Sequence, residues 1–143
     1  MKRKKPYWQK LLSRGLIAIV TFLNLQAAFQ FMFAPEKYSP GFEVVGTPGD
    51  ALIQGMGLLF LMWNIPYIVA LIDPDKHFTS LIEAVIMQAI GVIGETALLF
   101  SLKGEHTLIH ESVIRFIIFD GGGLVFLFTA FLIMLKFRRS KIS

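Results

Sequence analysis

Four long apolar segments constrain this chain more than any other feature of its sequence. They cover residues 11–33, 51–72, 79–102 and 112–137. Each is close to the roughly 20 residues that a helix needs to cross the hydrocarbon core of a bilayer. Lipid cannot satisfy free backbone groups, and the alternating pattern of barrel strands is absent from the sequence. The pattern therefore predicts an all-α integral membrane protein, a four-helix bundle with up-down-up-down topology.

Composition agrees with this class. The chain has 143 residues, of which 55% are hydrophobic, whereas soluble domains lie near 45–50%. The connections between the apolar segments are short, so we expect residues 1–143 to form a single membrane domain. The chain contains no cysteine, which excludes disulfides, thiol redox chemistry and cysteine-ligated metal centres.

Basic residues are concentrated at the two ends of the chain, in "MKRKKPYWQKLLSR" and "KFRRSK". With the turn "DPDKH", these ends carry eleven of the fourteen Lys and Arg residues. The positive-inside rule then predicts that both termini are cytoplasmic, in a multi-pass protein of the cell (inner) membrane. Because the charge flanks apolar spans, the net charge of +4 indicates contact with anionic lipid rather than nucleic acid.

Several polar residues lie inside the apolar segments. Ionisable groups there cost roughly 2.5–3.5 kcal/mol each on insertion, so they normally face the bundle interior and find partners. Counted from each segment's midpoint, Glu95, Asp120 and Arg115 all lie toward the outside, with Arg115 outermost. The sequence therefore predicts a buried polar cluster, or ligand-binding site, whose ionisable members lie in the outer half. Its predicted members are Glu95, Arg115, Asp120, Gln88, Gln54, Gln26, Gln30 and Asn64.

Helical periodicity supports part of this cluster. Gln88, Gly91 and Glu95 share one face of the third span at 100° per residue. Arg115 and Asp120 lie about 140° apart on the fourth span, so both face inward only if that helix is central or locally altered. Two interpretations stay open: a buried polar network that fixes the helix register, or a pocket that binds a small molecule or relays protons.

Glycine and proline interrupt two of the spans. Gly121, Gly122 and Gly123 predict either close approach of a neighbouring helix or a local break that lines a cavity. Pro66 predicts a kink in the second span, with Asn64 or Tyr67 bonding the freed backbone groups.

A metal site is not expected. His106 and His110 have the i, i+4 spacing of a divalent-metal pair, and acidic residues flank them. One pair in a surface connection is a weak signal, so His106 and His110 are weak candidates rather than predicted metal ligands. No P-loop, dinucleotide or nucleophile motif is present either, so the sequence names no catalytic residue and no cofactor.

The segments "FAPEKYSPGF", "GLLFLMWNIPY", "EAVIMQAIGVIGE" and "RFIIFDGGGL" carry a resemblance. In these segments and in its four-span layout, the chain resembles small bacterial membrane proteins of the broad DoxX-like kind. DoxX relatives have been linked to quinone-linked membrane oxidoreductase complexes. The resemblance therefore implies a quinone or lipid-like partner, but it assigns no reaction and no catalytic residue.

Three functional hypotheses follow. The first is a membrane protein that binds a small molecule, quinone or lipid in a polar pocket of its outer half. The second is an accessory subunit of a membrane oxidoreductase complex. The third is a proton-linked small transporter, which with four spans would act as a homo-oligomer. Whether the chain is an enzyme stays open at this point.

Overall fold

A computed structural model describes residues 7–142, and the side chains of residues 7–140. All regular secondary structure in this part of the chain is helical, with no strand. Its α-helices are α1 (Tyr7–Phe33), α2 (Gly46–Trp63), α3 (Ile65–Ile72), α4 (Phe78–Ser101) and α5 (Thr107–Ile142). Much of the N-terminal basic cluster, residues 1–6, lies outside the described residues.

Four helical segments are long and apolar enough to cross a bilayer: α1, the α2–α3 pair, α4 and α5. The prediction of an all-helical chain with four such segments is confirmed. The helices extend a few residues beyond several of the predicted spans. Apolar composition marks only the part of a helix that suits hydrocarbon, whereas helical hydrogen bonding continues into the polar flanks.

The second span is interrupted between α2 and α3, as Pro66 predicts. Proline has no N–H to bond the preceding turn, and Asn64 occupies the junction. The Asn64 amide Nδ2 donates to the carbonyl of Phe60 at 2.7 Å. Tyr67, the other residue expected to bond the freed backbone, instead directs its hydroxyl to α4.

Helix α5 packs between α1 and α4. Helix α1 also contacts α2 and α3, and α3 contacts α4. At one end of the bundle, Lys10 and Arg138 meet Asp73 and Asp75 of the turn before α4. We call this the basic end. At the opposite end, the loop end, the α1–α2 connection meets the start of α5.

A cluster of buried apolar residues draws on α1, α3, α4 and α5. Its members are Ile17, Val20, Tyr67, Ala70, Leu81, Ala84, Leu127, Ala130, Met134 and Phe137. Small residues such as Ala70, Ala84 and Ala130 let the helices approach closely, as in other membrane bundles. The polar residues of interest lie where this cluster ends.

Candidate functional site

A chain of hydrogen bonds connects three helices in the middle of the bundle. The Tyr67 hydroxyl on α3 donates to Gln88 Oε1 on α4 at 2.7 Å. Gln88 Nε2 donates to two oxygens of Asp120 on α5, the carboxylate Oδ1 at 3.0 Å and the backbone carbonyl at 3.2 Å. Tyr67 and Gln88 are each 3% exposed, so these bonds form away from solvent and lipid. We call Tyr67, Gln88, Asp120 and Glu95 the polar chain.

Glu95 completes the polar chain at the side of Asp120. Its carboxyl interacts with that of Asp120, and its buried Oε2 accepts no hydrogen bond from the described residues. One turn before Glu95, Gly91 makes room for this pair, since a Cβ at Gly91 would collide with Asp120 Oδ2. Two carboxyl groups on neighbouring helices therefore meet where α4 carries no side chain.

Gly123 makes similar room on α5. A Cβ at this position would lie 2.7 Å from Gln88 Nε2 and 3.4 Å from Val20 Cγ1. The side chain of Gln88 thus lies against the α5 backbone, at the junction of α1, α4 and α5. Gly91 and Gly123 together set the spacing that lets Gln88 and Asp120 cross between α4 and α5.

Arg115 does not join the polar chain, which corrects the expectation of a cluster with Glu95 and Asp120. Its side chain is 78% exposed, and its guanidinium lies 3.6 Å from Glu111 on the same helix. The cause is angular: with α5 helical without interruption, a residue about 140° from Asp120 faces away from α4. Among the described residues, no Lys, Arg or His forms an ion pair with either carboxyl of the polar chain.

The amides of α1 and α2 also lie apart from the polar chain. Gln26, Gln30 and Gln54 are exposed on the bundle surface. Gln30 accepts a hydrogen bond from Tyr38 at 3.0 Å, and Gln54 Nε2 lies 3.4 Å from the Met32 carbonyl. Asn64 is buried, but its amide bonds to its own helix, and its Oδ1 has no partner among residues 7–140. Of the eight predicted members, the structure brings together Gln88, Glu95 and Asp120.

The glycine triplet does not break α5, which is continuous from Thr107 to Ile142. Gly123 alone of the three has the role of close approach. A Cβ at Gly121 or Gly122 would meet nothing within 4 Å, so no neighbouring group requires glycine at either position. The alternative of two half-helices lining a cavity is therefore wrong for this segment.

A groove of about 220 Å³ runs between α1 and α5 beside the triplet. It is lined by Val20, Leu23, Asn24, Phe119, Gly122, Gly123 and Phe126. Asn24 is the one polar side chain in this lining. Gly123 belongs both to this groove and to the contact with Gln88, so the apolar groove and the polar chain meet at its backbone.

The two candidate histidines have different surroundings. His106 Nδ1 lies 2.6 Å from Glu43 Oε2 in the α1–α2 connection. The hydrogen bond with His106 and the first backbone N–H groups of α5 hold the pKa of Glu43 below its usual range, despite its partial desolvation. His110 is exposed. Within residues 7–142, no three His, Asp or Glu side chains are grouped to hold a metal ion.

Two residues of this region are absent from the predicted site. The sequence indicates Tyr67 only as a partner for the backbone around Pro66, although it lies one turn after the buried Asn64. Asn24 does not share a helical face with Gln26 and Gln30, which separates it from the predicted cluster. That pair is exposed, however, and Asn24 lines the groove. The sequence signal that could have identified Asn24 is its position as a neutral polar residue in the middle of the first span.

Comparisons of this chain with protein-family models, with curated proteins and with solved structures found no match.

Proposed function

We propose that this chain is a multi-pass protein of the inner membrane that binds a small molecule, of quinone or lipid type, at the polar chain. In this proposal the four spans run up-down-up-down with both termini cytoplasmic. The charges support that orientation. Lys10, Arg14 and Arg138 lie at the basic end, whereas Glu36, Glu43 and Glu105 lie at the loop end.

The observation that carries the proposal is the state of Glu95. Within the described part of the chain, its buried Oε2 has no hydrogen-bond donor, and it lies beside the carboxyl of Asp120 without a paired cation. An unsatisfied buried polar atom costs about 1–3 kcal/mol, and more when it is charged. A bound molecule with an O–H or N–H group would supply the missing bond. Hydroxyl groups of a quinol and polar headgroups of lipids carry such donors.

The surroundings favour a ligand that dissolves in the bilayer. Apart from Asn24, the side chains that line the groove between α1 and α5 are apolar, and Leu23, Phe119 and Phe126 are exposed on the bundle surface. In a membrane that surface faces hydrocarbon, so an apolar tail has a place to lie beside the polar chain. Binding sites for small molecules commonly combine such an apolar lining with a few convergent polar groups.

Native mass spectrometry of the protein extracted in mild detergent tests the proposal. We expect the unmodified protein to retain an additional small-molecule mass, and Glu95→Leu to reduce its occupancy at least about tenfold. Glu83→Leu is the matched control, because Glu83 is an exposed carboxylate on the same helix. Retention that is equal in the two variants, or no retained mass in either detergent or lipid nanodiscs, would contradict the proposal.

A second candidate function, proton-linked transport by a homo-oligomer, is favoured by the same two carboxyls. Intramembrane acids that contact each other without a cation are typical of proton-handling sites. Proton flux in liposomes measures this activity. Flux that is unchanged by Glu95→Gln and by Asp120→Asn would argue against it.

The third hypothesis, an accessory subunit of an oxidoreductase complex, rests on the four-span layout alone. Copurification of a catalytic partner from native membranes would favour it, and a ligand-free monomer would count against it.

A further inference from the structure

The orientation of the Gln88 amide is fixed from both sides. A backbone carbonyl only accepts hydrogen bonds, so the group that faces the Asp120 carbonyl at 3.2 Å must be the NH₂ of Gln88. The amide oxygen then faces Tyr67, whose hydroxyl donates to it at 2.7 Å. These two bonds exclude the flipped amide, whose oxygen would face an acceptor.

With the amide in this orientation, the carboxyl of Asp120 receives a hydrogen-bond donor from the described part of the chain and the buried Oε2 of Glu95 does not. The NH₂ of Gln88 donates to Asp120 Oδ1 at 3.0 Å, and a donor stabilises the ionised form of a carboxyl. Glu95 receives no donor for its buried Oε2 from the described residues. The hydrogen bonds therefore favour a charge on Asp120, and they offer nothing to stabilise a charge on Glu95.

In the part of the chain that the structure describes, the other groups found against the pair carry no charge. They are Tyr67 of α3, Gln88 and Gly91 of α4, and Gly123 of α5 beyond Gln88. Val20, the α1 residue that lies against Gly123, is apolar. The nearest cation along α5, Arg115, is exposed and lies beside Glu111. Two ionised carboxyls in contact, in apolar surroundings, repel each other strongly.

We propose that Gln88 and Tyr67 act as positioning residues that make Glu95 the proton-carrying member of the pair and hold Asp120 ionised. The pair then has a single negative charge and one exchangeable proton, which sits on the side of the site that lacks a donor. This inference deepens the proposed function, on which it rests, because it names the group whose proton a bound molecule exchanges or bonds.

The charge of a ligand would determine how its affinity for this pair depends on pH. A cationic headgroup that enters beside Glu95 displaces the proton, so its affinity rises with pH. A neutral ligand leaves the proton in place, so its affinity stays constant until Glu95 ionises. Titrating the retained ligand against pH therefore assigns the ligand to one of these two classes.

Labelling with N,N′-dicyclohexylcarbodiimide, an apolar reagent, tests the assignment directly on the full-length protein in liposomes. The O–H of a protonated carboxyl adds across one C=N bond of the reagent, and the adduct rearranges to a stable N-acylurea with no leaving group. Peptide mass spectrometry then reports which carboxyl was protonated. We expect at least about ten times more adduct at Glu95 than at Asp120.

The variant Gln88→Met removes the donor and nearly keeps the volume of the side chain. We expect it to lower the Glu95-to-Asp120 labelling ratio at least about fivefold, because Asp120 then competes for the proton. Tyr67→Phe keeps Gln88 but loosens the amide, so we expect a smaller fall in the same direction. Gln54→Met is the control, because Gln54 is an exposed glutamine outside the polar chain, and it should leave the ratio unchanged.

More adduct at Asp120 than at Glu95 in the unmodified protein would overturn the assignment. So would an unchanged ratio in both Gln88→Met and Tyr67→Phe; if Gln88→Met fails to fold, Tyr67→Phe alone decides. The labelling does not depend on ligand retention. Labelling at Glu95 without any retained ligand would uphold the proton assignment and contradict the proposed function. A retained ligand with preferential labelling at Asp120 would uphold the proposed function and contradict the proton assignment.

Discussion

The two halves of α4 differ sharply in how they are packed. Toward the basic end, Leu81, Ala84 and Gln88 are buried against α3 and α5. Beyond Gln88, no residue of α4 is fully buried, and Ile93 and Phe100 are 69% and 84% exposed. Helix α3 contacts α4, and its Tyr67 bonds Gln88 at the end of the buried part. One half of α4 lies in a four-helix core, and the other half packs on α5.

The polar chain spans the boundary between these halves. Tyr67 and Gln88 belong to the densely packed side, so their geometry is fixed by close neighbours on all sides. Glu95 and Asp120 belong to the side with fewer neighbours and are only partly buried. The rigid Gln88 amide fixes the orientation of the carboxyl that it bonds. The less densely packed side leaves room for a ligand to reach Glu95 and Asp120.

The largest expected effect compares the two halves with the same substitution. Leu81→Ala removes a side chain that is 0% exposed and leaves a cavity, so we expect it to destabilise the protein by about 2–4 kcal/mol. Leu98→Ala, on the same helix but 48% exposed, should cost less than about 1 kcal/mol. Thermal unfolding of both variants in one detergent measures the difference, and equal losses would remove the distinction between the halves.

A smaller effect is expected at the basic end, where Asp73 accepts hydrogen bonds from Lys10 Nζ at 2.6 Å and from two backbone N–H groups. Burial raises the pKa of Asp73, but these bonds outweigh burial and lower it to about 2. A lowered pKa means that the stabilisation is complete above the unfolded value near 3.8 and is lost as the pH falls toward 2.

Asp73→Asn should therefore lower the free energy of unfolding by about 1–2 kcal/mol at pH 7. The difference from the unmodified protein should shrink between about pH 4 and pH 2. Melting temperature measured over this pH range tests the expectation. Glu83→Gln, at an exposed position of the same end, is the control and should show no such pH-dependent difference. A constant difference over the whole range would show that Asp73 acts through packing.

Hydropathy and periodicity predict the helices and one face of the site. The four spans follow from composition, and Gln88, Gly91 and Glu95 do share a face of α4 toward α5. The pairing of Glu95 with Asp120 follows from depth, because α4 and α5 are joined by a short connection. These features depend on hydropathy, helical periodicity and the length of a connection, all of which can be read from the sequence.

The remaining features depend on the angles between helices, which a sequence does not contain. Arg115 has the right depth, but it faces away from α4 on the uninterrupted α5. Gln26 and Gln30 form a polar stripe that lies on the bundle surface. Tyr67 reaches Gln88 because the break at Asn64 and Pro66 brings α3 against α4. Depth and stripe patterns identify candidates, and only the rotation of each helix about its axis selects among them.

The smallest expected effect on stability concerns two glycines of α4, three residues apart. Gly91 lies against Asp120, and a Cβ there would collide with Oδ2, whereas a Cβ at Gly94 would meet nothing within 4 Å. Gly91→Ala should push the Asp120 carboxylate away from Glu95 and cost about 1 kcal/mol, since the gain in helix propensity offsets part of the strain. Gly94→Ala keeps that propensity gain without the collision, so it should be neutral or slightly stabilising in thermal unfolding.

Carbodiimide labelling of the same two variants tests the spacing of the carboxyl pair itself. Burial and repulsion by Asp120 both favour the protonated form of Glu95, and separating the carboxyls removes the repulsion. We therefore expect the adduct at Glu95 to fall several-fold in Gly91→Ala and to stay unchanged in Gly94→Ala. Equal labelling in both variants would mean that the carboxyl pair tolerates a methyl group between its helices, and that its spacing does not depend on Gly91.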